Sequence, residues 1–431
     1  MERISHKKGL KALSPLVVFL LTYLVSSIVA GDFYKVPVAS AFLVACIYAV
    51  IIAHGTLTDK IETFSKGAGN SNVLLMVWIF ILAGAFAGTA RDIGAIDATV
   101  AATLNVIPSR MLYAGFFLIA CFISMSIGTS VGTIVALVPI ATGIALHSGT
   151  STAMMAGVIV GGSFFGDNLS FISDTTIAST RAVGCEMRDK FKTNIKIILP
   201  AVIAVTILYL IKGQGVGSIQ EHLPVNYVKL VPYLIVIALA LSGRKVTVVL
   251  TIGIAANMVI GFIYGDFTWT GWLASAGSGI AGMNDLIVIT LLAGGLLEII
   301  RQEGGLDYII YLLTRRIRGR RGAQLSIAAL VCLANLCTAN NTIAIITTGG
   351  IAKDITDRFH LDPRHTASIL DTFSCLIQGI IPYGAQVLMA AGLASVSPTE
   401  ILQYLYYPML MGLCALAAII ICPPKSRRKT A

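Results

Sequence analysis

The chain is a succession of long apolar runs separated by short polar ones. Ten runs are long enough for a helix to cross a hydrocarbon core, which takes about 20 residues. They lie near 13–30, 36–54, 73–90, 153–180, 194–211, 228–243, 246–264, 284–300, 366–389 and 404–422. Two further runs, 111–147 and 324–352, are each interrupted in the middle by a polar cluster. The pattern predicts an all-α polytopic membrane protein whose interrupted runs go in and come back on one side. The run 13–30 follows a basic start, but it exceeds a signal-peptide core of 7–15 residues. It also has a counterpart in the second half, so it is read as a retained helix.

The order of runs repeats. Residues 82–97 read LAGAFAGTARDIGAID and 292–307 read LAGGLLEIIRQEGGLD, which pairs Arg91 with Arg301 and Asp97 with Asp307 at an offset of 210. That offset, or one more, superposes the remaining runs, including 111–147 on 324–352. Five crossings and one in-and-out stretch per half send the second half into the membrane from the opposite side. The expected architecture is therefore two inverted-topology repeats, 1–212 and 213–431. Each has five spanning helices plus a re-entrant hairpin (111–147, 324–352) and a discontinuous helix (153–180, 366–389). Inverted repeats with broken helices are a construction of secondary transporters. No Walker-type phosphate loop occurs in the sequence.

Composition agrees: 56% of residues are hydrophobic, 12% are charged and mean hydropathy is +0.85. The net charge of +10 sorts by loop, and with a cytoplasmic N-terminus the inner side takes all but five of the 31 Lys and Arg residues. The five outer ones are Lys35, Arg91, Arg110, Lys212 and Lys229, whereas Arg188, Lys190, Lys192 and the Arg315–Arg321 cluster fall inside. This positive-inside asymmetry predicts a multi-pass protein of the cytoplasmic membrane with both termini inside, and argues against nucleic-acid binding. Eight scattered cysteines, with no C-x-x-C pair, indicate neither a disulfide frame nor a metal site.

The interruptions carry the chemistry. Ser126–Thr133 reads SIGTSVGT, with Thr129 and Ser130 at its centre, and suggests a hairpin tip facing a site; two helices packed through small residues is the competing reading. Gly161–Thr176, GGSFFGDNLSFISDTT, sets Asp167 and Asp174 in an apolar run with Ser170 and Thr175 beside them. A carboxylate at such depth costs about 2.5–3.5 kcal/mol, so it pairs, binds a cation or carries a proton. Hard oxygen ligands suit an alkali cation. Asp174 also reads as a helix-start residue. The second half repeats the arrangement with Asn340 and Asn341 at its tip, Asp371 and Gln378 on its charged helix and Tyr383 and Gln386 at its break. For Asp371 an ordinary pairing with Arg364 or His365 is open. Glu298 and Arg301 read as a local pair, and His54 and His147 as interfacial residues.

The stretches S-x-G-T-S-x-G-T at Ser126–Thr133 and G-D-x-x-S-x-x-S-D-T-T at Gly166–Thr176 resemble diagnostic segments of the NhaC-type sodium/proton antiporter family. Ala339-Asn340-Asn341, Leu370-Asp371 and Ile381-Pro382-Tyr383 are similar to its corresponding second-half run. The resemblance covers essentially the whole chain. It implies a transporter rather than an enzyme, with a scaffold part and a transport part, exchanging sodium for protons. Some members couple sodium to carboxylates or amino acids. The chain departs from the family at Phe171, where a proline is usual, and at Leu370, where many members carry Glu.

Together these readings predict a cation and proton site of Asp167, Asp174, Asp371, Ser170, Thr175, Thr129, Ser130, Asn340 and Asn341, with sodium at Asp167, Asp174 and Asn340. No cofactor is expected beyond the sodium ion as transported or coupling ion. The alternative is a sodium-coupled carrier of a small organic acid or amino acid, with Gln378, Tyr383 and Gln386 as substrate contacts. Partners are then sodium, protons and the bilayer, and a homodimer is left open.

Overall fold

The structure is a computed structural model describing residues 6–29, 37–170, 173–216, 224–242, 244–314 and 317–421. All regular structure among them is helical. The first half holds α1 (His6–Val29), α2 (Val38–Ile52), α3 (Leu57–Ala68), α4 (Ser71–Asp92), α5 (Ala95–Val106), α6 (Leu112–Ile127), α7 (Ser130–Ser148), α8 (Thr152–Leu169), α9 (Asp174–Val183) and α10 (Met187–Gly213). The second holds α11 (Val231–Leu241), α12 (Val246–Tyr264), α13 (Trp269–Ala281), α14 (Asn284–Gln302), α15 (Gly305–Thr314), α16 (Gly319–Thr338), α17 (Asn341–Arg358), α18 (Pro363–Ile380), α19 (Ala385–Ala394), α20 (Pro398–Leu402) and α21 (Tyr406–Ile421).

Among the described residues, eight helical spans are long and apolar enough to cross a membrane, or nine if the bent pair α13–α14 counts as one. This is fewer than the ten expected. The apolar helices α2 and α21, at 15 and 16 residues, are shorter than the runs from which they were read. The arms on either side of the first tip, α6 and α7, each pass the same test of length and apolarity. Five helices, α3, α5, α13, α15 and the one-turn α20, were not anticipated. Helices α5 and α15 are only 12 and 10 residues long, and α3, with Asp59, Lys60, Glu62 and Lys66, is too polar to register as a span. Its start is fixed locally, since Thr56 Oγ1 accepts from Asp59 N and the Asp59 carboxylate accepts from Thr56 N, a reciprocal capping box.

Helix boundaries recur between the halves. Gly94 and Gly304, 210 positions apart, both adopt positive φ at the turn after α4 and α14. Gly128 and Ala339, 211 apart, are left-handed at the ends of α6 and α16. Packing recurs as well, with partners exchanged. Helix α4 crosses α13 and α12, while α14 crosses α3 and α2. Helix α9 lies against α17, and α19 against α7.

Among the described residues, three helix crossings are made backbone to backbone: α4 on α13, α3 on α14, and α6 on α8, where Gly162 and Gly166 lie against the backbone of Phe117 and Ser124. A Cβ on Gly84 would meet Gly279 O at 2.4 Å, and one on Gly67 would meet Gly294 O at 2.4 Å. Small residues at a crossing allow this approach, and dispersion between closely packed helices supplies association that lipid-facing apolar surface cannot. The first broken helix sits deepest: the span over α8 and α9 is 94% buried within the protein, against 67% for α18–α19 and 28% for α10.

Because the Gly84–Gly279 contact has no room for a side chain, Gly84→Val is expected to cost about 1–3 kcal/mol of stability through overpacking. Thermal unfolding in detergent reads this. Gly277→Val, whose Cβ meets nothing within 4 Å, is the control and should melt like the parent.

Candidate functional site

Four chain breaks converge on one buried region. The first tip is Gly128–Thr129 between α6 and α7, and the second is Ala339–Asn340 between α16 and α17. The first helix break lies between Leu169 and Asp174, of which Ser170 and Ser173 are described and Phe171 lies outside the described residues. The second break spans 381–384, where Ile381 has extended backbone.

Asp167 projects from the last turn of α8 to the start of α7. Its Oδ1 accepts from Ser130 N at 2.9 Å and its Oδ2 from Ser130 Oγ at 2.6 Å. The first N–H groups of a helix lack intrahelical partners, and Thr129 supplies no side-chain cap, so Asp167 caps α7 from a neighbouring helix. The Asn341 amide of the second tip also reaches the carboxylate. The Asp167 carbonyl accepts from Ser173 Oγ at 2.8 Å and Thr175 Oγ1 at 2.7 Å, which closes the first break onto itself. Ser170, buried, ends α8.

A polar chain links the second tip to this carboxylate. Gln378 Nε2 donates to Ala339 O and to Gln386 Oε1, each at 3.1 Å. Gln386 Nε2 donates to Ser130 Oγ at 3.0 Å, and that hydroxyl donates to Asp167.

Several predicted site residues lie elsewhere. Asp174 is exposed in the first turn of α9, where Ser173 rather than Asp174 holds the N-cap position, and it does not join Asp167. Asn340 Oδ1 caps its own helix by accepting from Ile343 N at 3.0 Å. Asn340 and Tyr383 line a separate cavity of about 180 Å³, whose walls include Met76, Leu297 and Ile343 and which also borders Glu298 and Arg301. The sodium set of Asp167, Asp174 and Asn340 is therefore not brought together. Tyr383 OH donates to Leu336 O at 3.0 Å, and its ring stands edge-on to Phe19 and Phe42. Glu298 and Arg301 form the anticipated local pair at 3.5 Å. His54 is exposed and contacts Glu303 at 2.6 Å, while His147 sits 3.0 Å from Gly143 O in its own helix.

Asp371 does not pair with Arg364, which instead holds Asp362 at 2.8 Å. Its partner is Lys190, with which it forms a fully buried ion pair. Lys190 was assigned to the cytoplasmic loop charges; the structure corrects this. Helix α10 begins at Met187, so Lys190 lies one turn inside it on the buried face, whereas Arg188 and Lys192 are exposed. Lys190 Nζ also donates to Asn168 O at 2.6 Å and Thr176 Oγ1 at 2.9 Å. Asn194, one turn further on, donates to Asn168 O at 2.9 Å and accepts from Ser368 Oγ at 2.7 Å and Thr372 Oγ1 at 3.1 Å. A signal was present in the sequence: Lys190, Asn194 and Ile198 recur every fourth residue on the stripe continued by Ala201, Val205 and Tyr209.

A sequence model described as the Na+/H+ antiporter family matches residues 9–214 and 223–422. The chain belongs to this family. It is 21% identical over 422 residues to the Na(+)/H(+) antiporter NhaC of Alkalihalophilus pseudofirmus, covering 89% of each chain. It is 23% identical over 374 residues to the malate-2H(+)/Na(+)-lactate antiporter of Bacillus subtilis, covering 78% of this chain and 79% of that one. The solved structure of the YdaH transporter of Alcanivorax borkumensis aligns at a TM-score of 0.42 and 14% identity, covering 88% of this chain and 97% of that one. Family membership makes the chain a multi-pass transporter of the antiport class.

Asn194→Leu in this antiporter-family chain strips the buried Ser368 and Thr372 hydroxyls of their acceptor. Each unpaired buried group costs about 1–3 kcal/mol. The expected result is a clear fall in thermal stability in detergent.

Proposed function

We propose that this chain exchanges sodium for protons across the cytoplasmic membrane by alternating access, with Asp167 as the carboxylate for which the two cations compete. The observation that carries the reading is the environment of Asp167. It is buried and held by neutral donors, and the ion pairs among the described residues leave it out. A carboxylate without a cationic partner at such depth favours a proton or a bound cation. The Ser130 hydroxyl supplies a further oxygen beside it, and oxygens suit a hard monovalent ion. Sodium needs the carboxylate ionised and a proton removes that charge, so each displaces the other.

The inverted arrangement of the halves, 1–212 and 213–431, belongs to the same proposal. Its support is the exchange of partners between halves (α4 on α13 against α14 on α3, α9 on α17 against α19 on α7) and the family match in two stretches. In this arrangement α6–α7 and α16–α17 are the re-entrant hairpins, and α8–α9 and α18–α19 are the discontinuous helices. The α4–α13 and α3–α14 glycine crossings belong to the scaffold, and the hairpins with the broken helices, among them α6 locked to α8, form the moving part. Both termini are cytoplasmic, and sodium is the ion transported.

A second reading, a sodium-coupled carrier of a small organic acid or amino acid, has one favourable observation. The cavity at Asn340 and Tyr383, about 180 Å³, is far larger than an ion requires, and Thr338 and Arg301 on its lining could meet a carboxylate. The malate/lactate relative fits the same reading.

In proteoliposomes, sodium addition without organic substrate is expected to drive proton movement that reverses with the gradient. Asp167→Asn keeps a side chain able to cap α7 but removes the charge, and should abolish exchange; exposed Asp174→Asn should stay within about twofold of the parent. The apparent sodium KM should rise on acidification, by up to about tenfold per pH unit, the limit for one proton competing with one cation. Exchange surviving in Asp167→Asn would overturn the assignment. The organic carrier predicts instead a sodium-dependent thermal shift with malate, lactate or amino acids, lost in Tyr383→Ala; no shift removes that reading.

A further inference from the structure

Lys190 stands out because all three of its N–H donors are used and each meets an oxygen. They meet the Asn168 carbonyl, the Thr176 hydroxyl and the Asp371 carboxylate. These groups come from three elements. Asn168 lies in the last turn of α8, Thr176 in the first turn of α9, and Asp371 in α18. The ammonium thus plugs the first helix break at the negative end of the α8 dipole, where C-terminal carbonyls lack intrahelical donors. A carbonyl, a hydroxyl and a carboxylate around a single positive charge form the ligand set a desolvated alkali cation takes.

We infer that Lys190 is a tethered cation occupying a second alkali-ion position built around Asp371, Thr176 and the Asn168 carbonyl, so that only the Asp167 position remains exchangeable. This rests on the reading of Asp167 as the exchanging carboxylate. The two buried aspartates have different partners: Asp167 has neutral donors that a proton or sodium can supplement, and Asp371 has a charge fixed to the chain. Lys190 is held at 0% exposure, beside Asn194 on the same face. Leaving it there desolvates two charges, and removing one partner leaves the other uncompensated. An alkali ion in the vacated space would restore the compensation. The residue at 190 therefore sets how many cations the carrier holds.

Equilibrium binding of radioactive sodium to the purified full-length protein tests this. In Asp167→Asn no sodium is expected to bind, because the exchangeable position is gone and the second one is filled. Asp167→Asn/Lys190→Ala should bind one sodium per chain, and adding Asp371→Asn should return binding to none. Sodium binding in Asp167→Asn alone would overturn the Asp167 reading rather than the role of Lys190. A folded Asp167→Asn/Lys190→Ala protein that binds no sodium would overturn the tethered cation. To separate folding from binding, Lys190→Ala is purified in sodium and in choline. Recovery as a monodisperse protein, with a melting temperature that sodium raises also in Asp167→Asn/Lys190→Ala, supports the inference. Failure in both salts, while Lys190→Ala/Asp371→Asn folds, overturns it.

Discussion

The structure depends on one constraint: backbone broken inside an apolar slab has to find its hydrogen bonds nearby. Two tips and two interrupted helices leave N–H and C=O groups without intrahelical partners, and at both tips and the first break specific side chains meet them. Asp167 takes the first N–H of α7, and Asn340 takes one near the start of α17. The carbonyl of Asp167 receives Ser173 and Thr175 across the first break, and the carbonyl of Ala339 receives Gln378 from α18. Unsatisfied groups of this kind cost several kcal/mol each in hydrocarbon, so the polar residues at the breaks are first of all structural. Chemistry is available because some of them carry charge.

The halves solve the same problem with different residues, and the difference is where function enters. At the common offset of 211, Asp167 corresponds to Gln378, Ser130 to Asn341 and Thr175 to Gln386. Ser124 Oγ donates to Ser163 O in the first half, and Asn335 Nδ2 to Ser374 O at the same positions in the second. In the second half the helix start is capped by its own Asn340, so the position facing it needs no charge and holds a glutamine. In the first half Thr129 leaves the start uncapped, and the facing position holds a carboxylate. In the proposed repeat, the carboxylate at 167 thus faces a neutral counterpart at 378.

Much of this was legible in the sequence because it follows from polarity at depth. The tips, the breaks and the carboxylates at 167 and 371 are polar residues in apolar runs, and the pattern marks them without knowledge of the fold. What the pattern does not carry is direction. Asp174 is as conspicuous as Asp167 but starts a helix and points outward, and Lys190 looks like a loop charge until α10 is known to start at Met187. Helices α3, α5, α13 and α15 escaped for a related reason. They are shorter than a bilayer is thick, and α3 presents charges that a search for apolar runs passes over.

Close glycine contacts join α4 to α13 and α3 to α14, and they also lock α6 to α8 beside the first break. Gly84 on Gly279 and Gly67 on Gly294 bring backbones into contact with no side chain between them, a joint with little freedom to slide. The region around the breaks is also joined by side-chain hydrogen bonds, among them Gln378 to Gln386, Gln386 to Ser130 and Ser130 to Asp167. Such bonds can be exchanged for others at little net cost, since each contributes only about 0.5–1.5 kcal/mol beyond its alternatives. Helices α7 and α17 each touch a broken helix of the opposite half, α19 and α9. If the tips move as proposed, movement of one bears on the break of the other half through these contacts. In the proposed exchange this coupling lets a single cation, bound or released, decide which side is open.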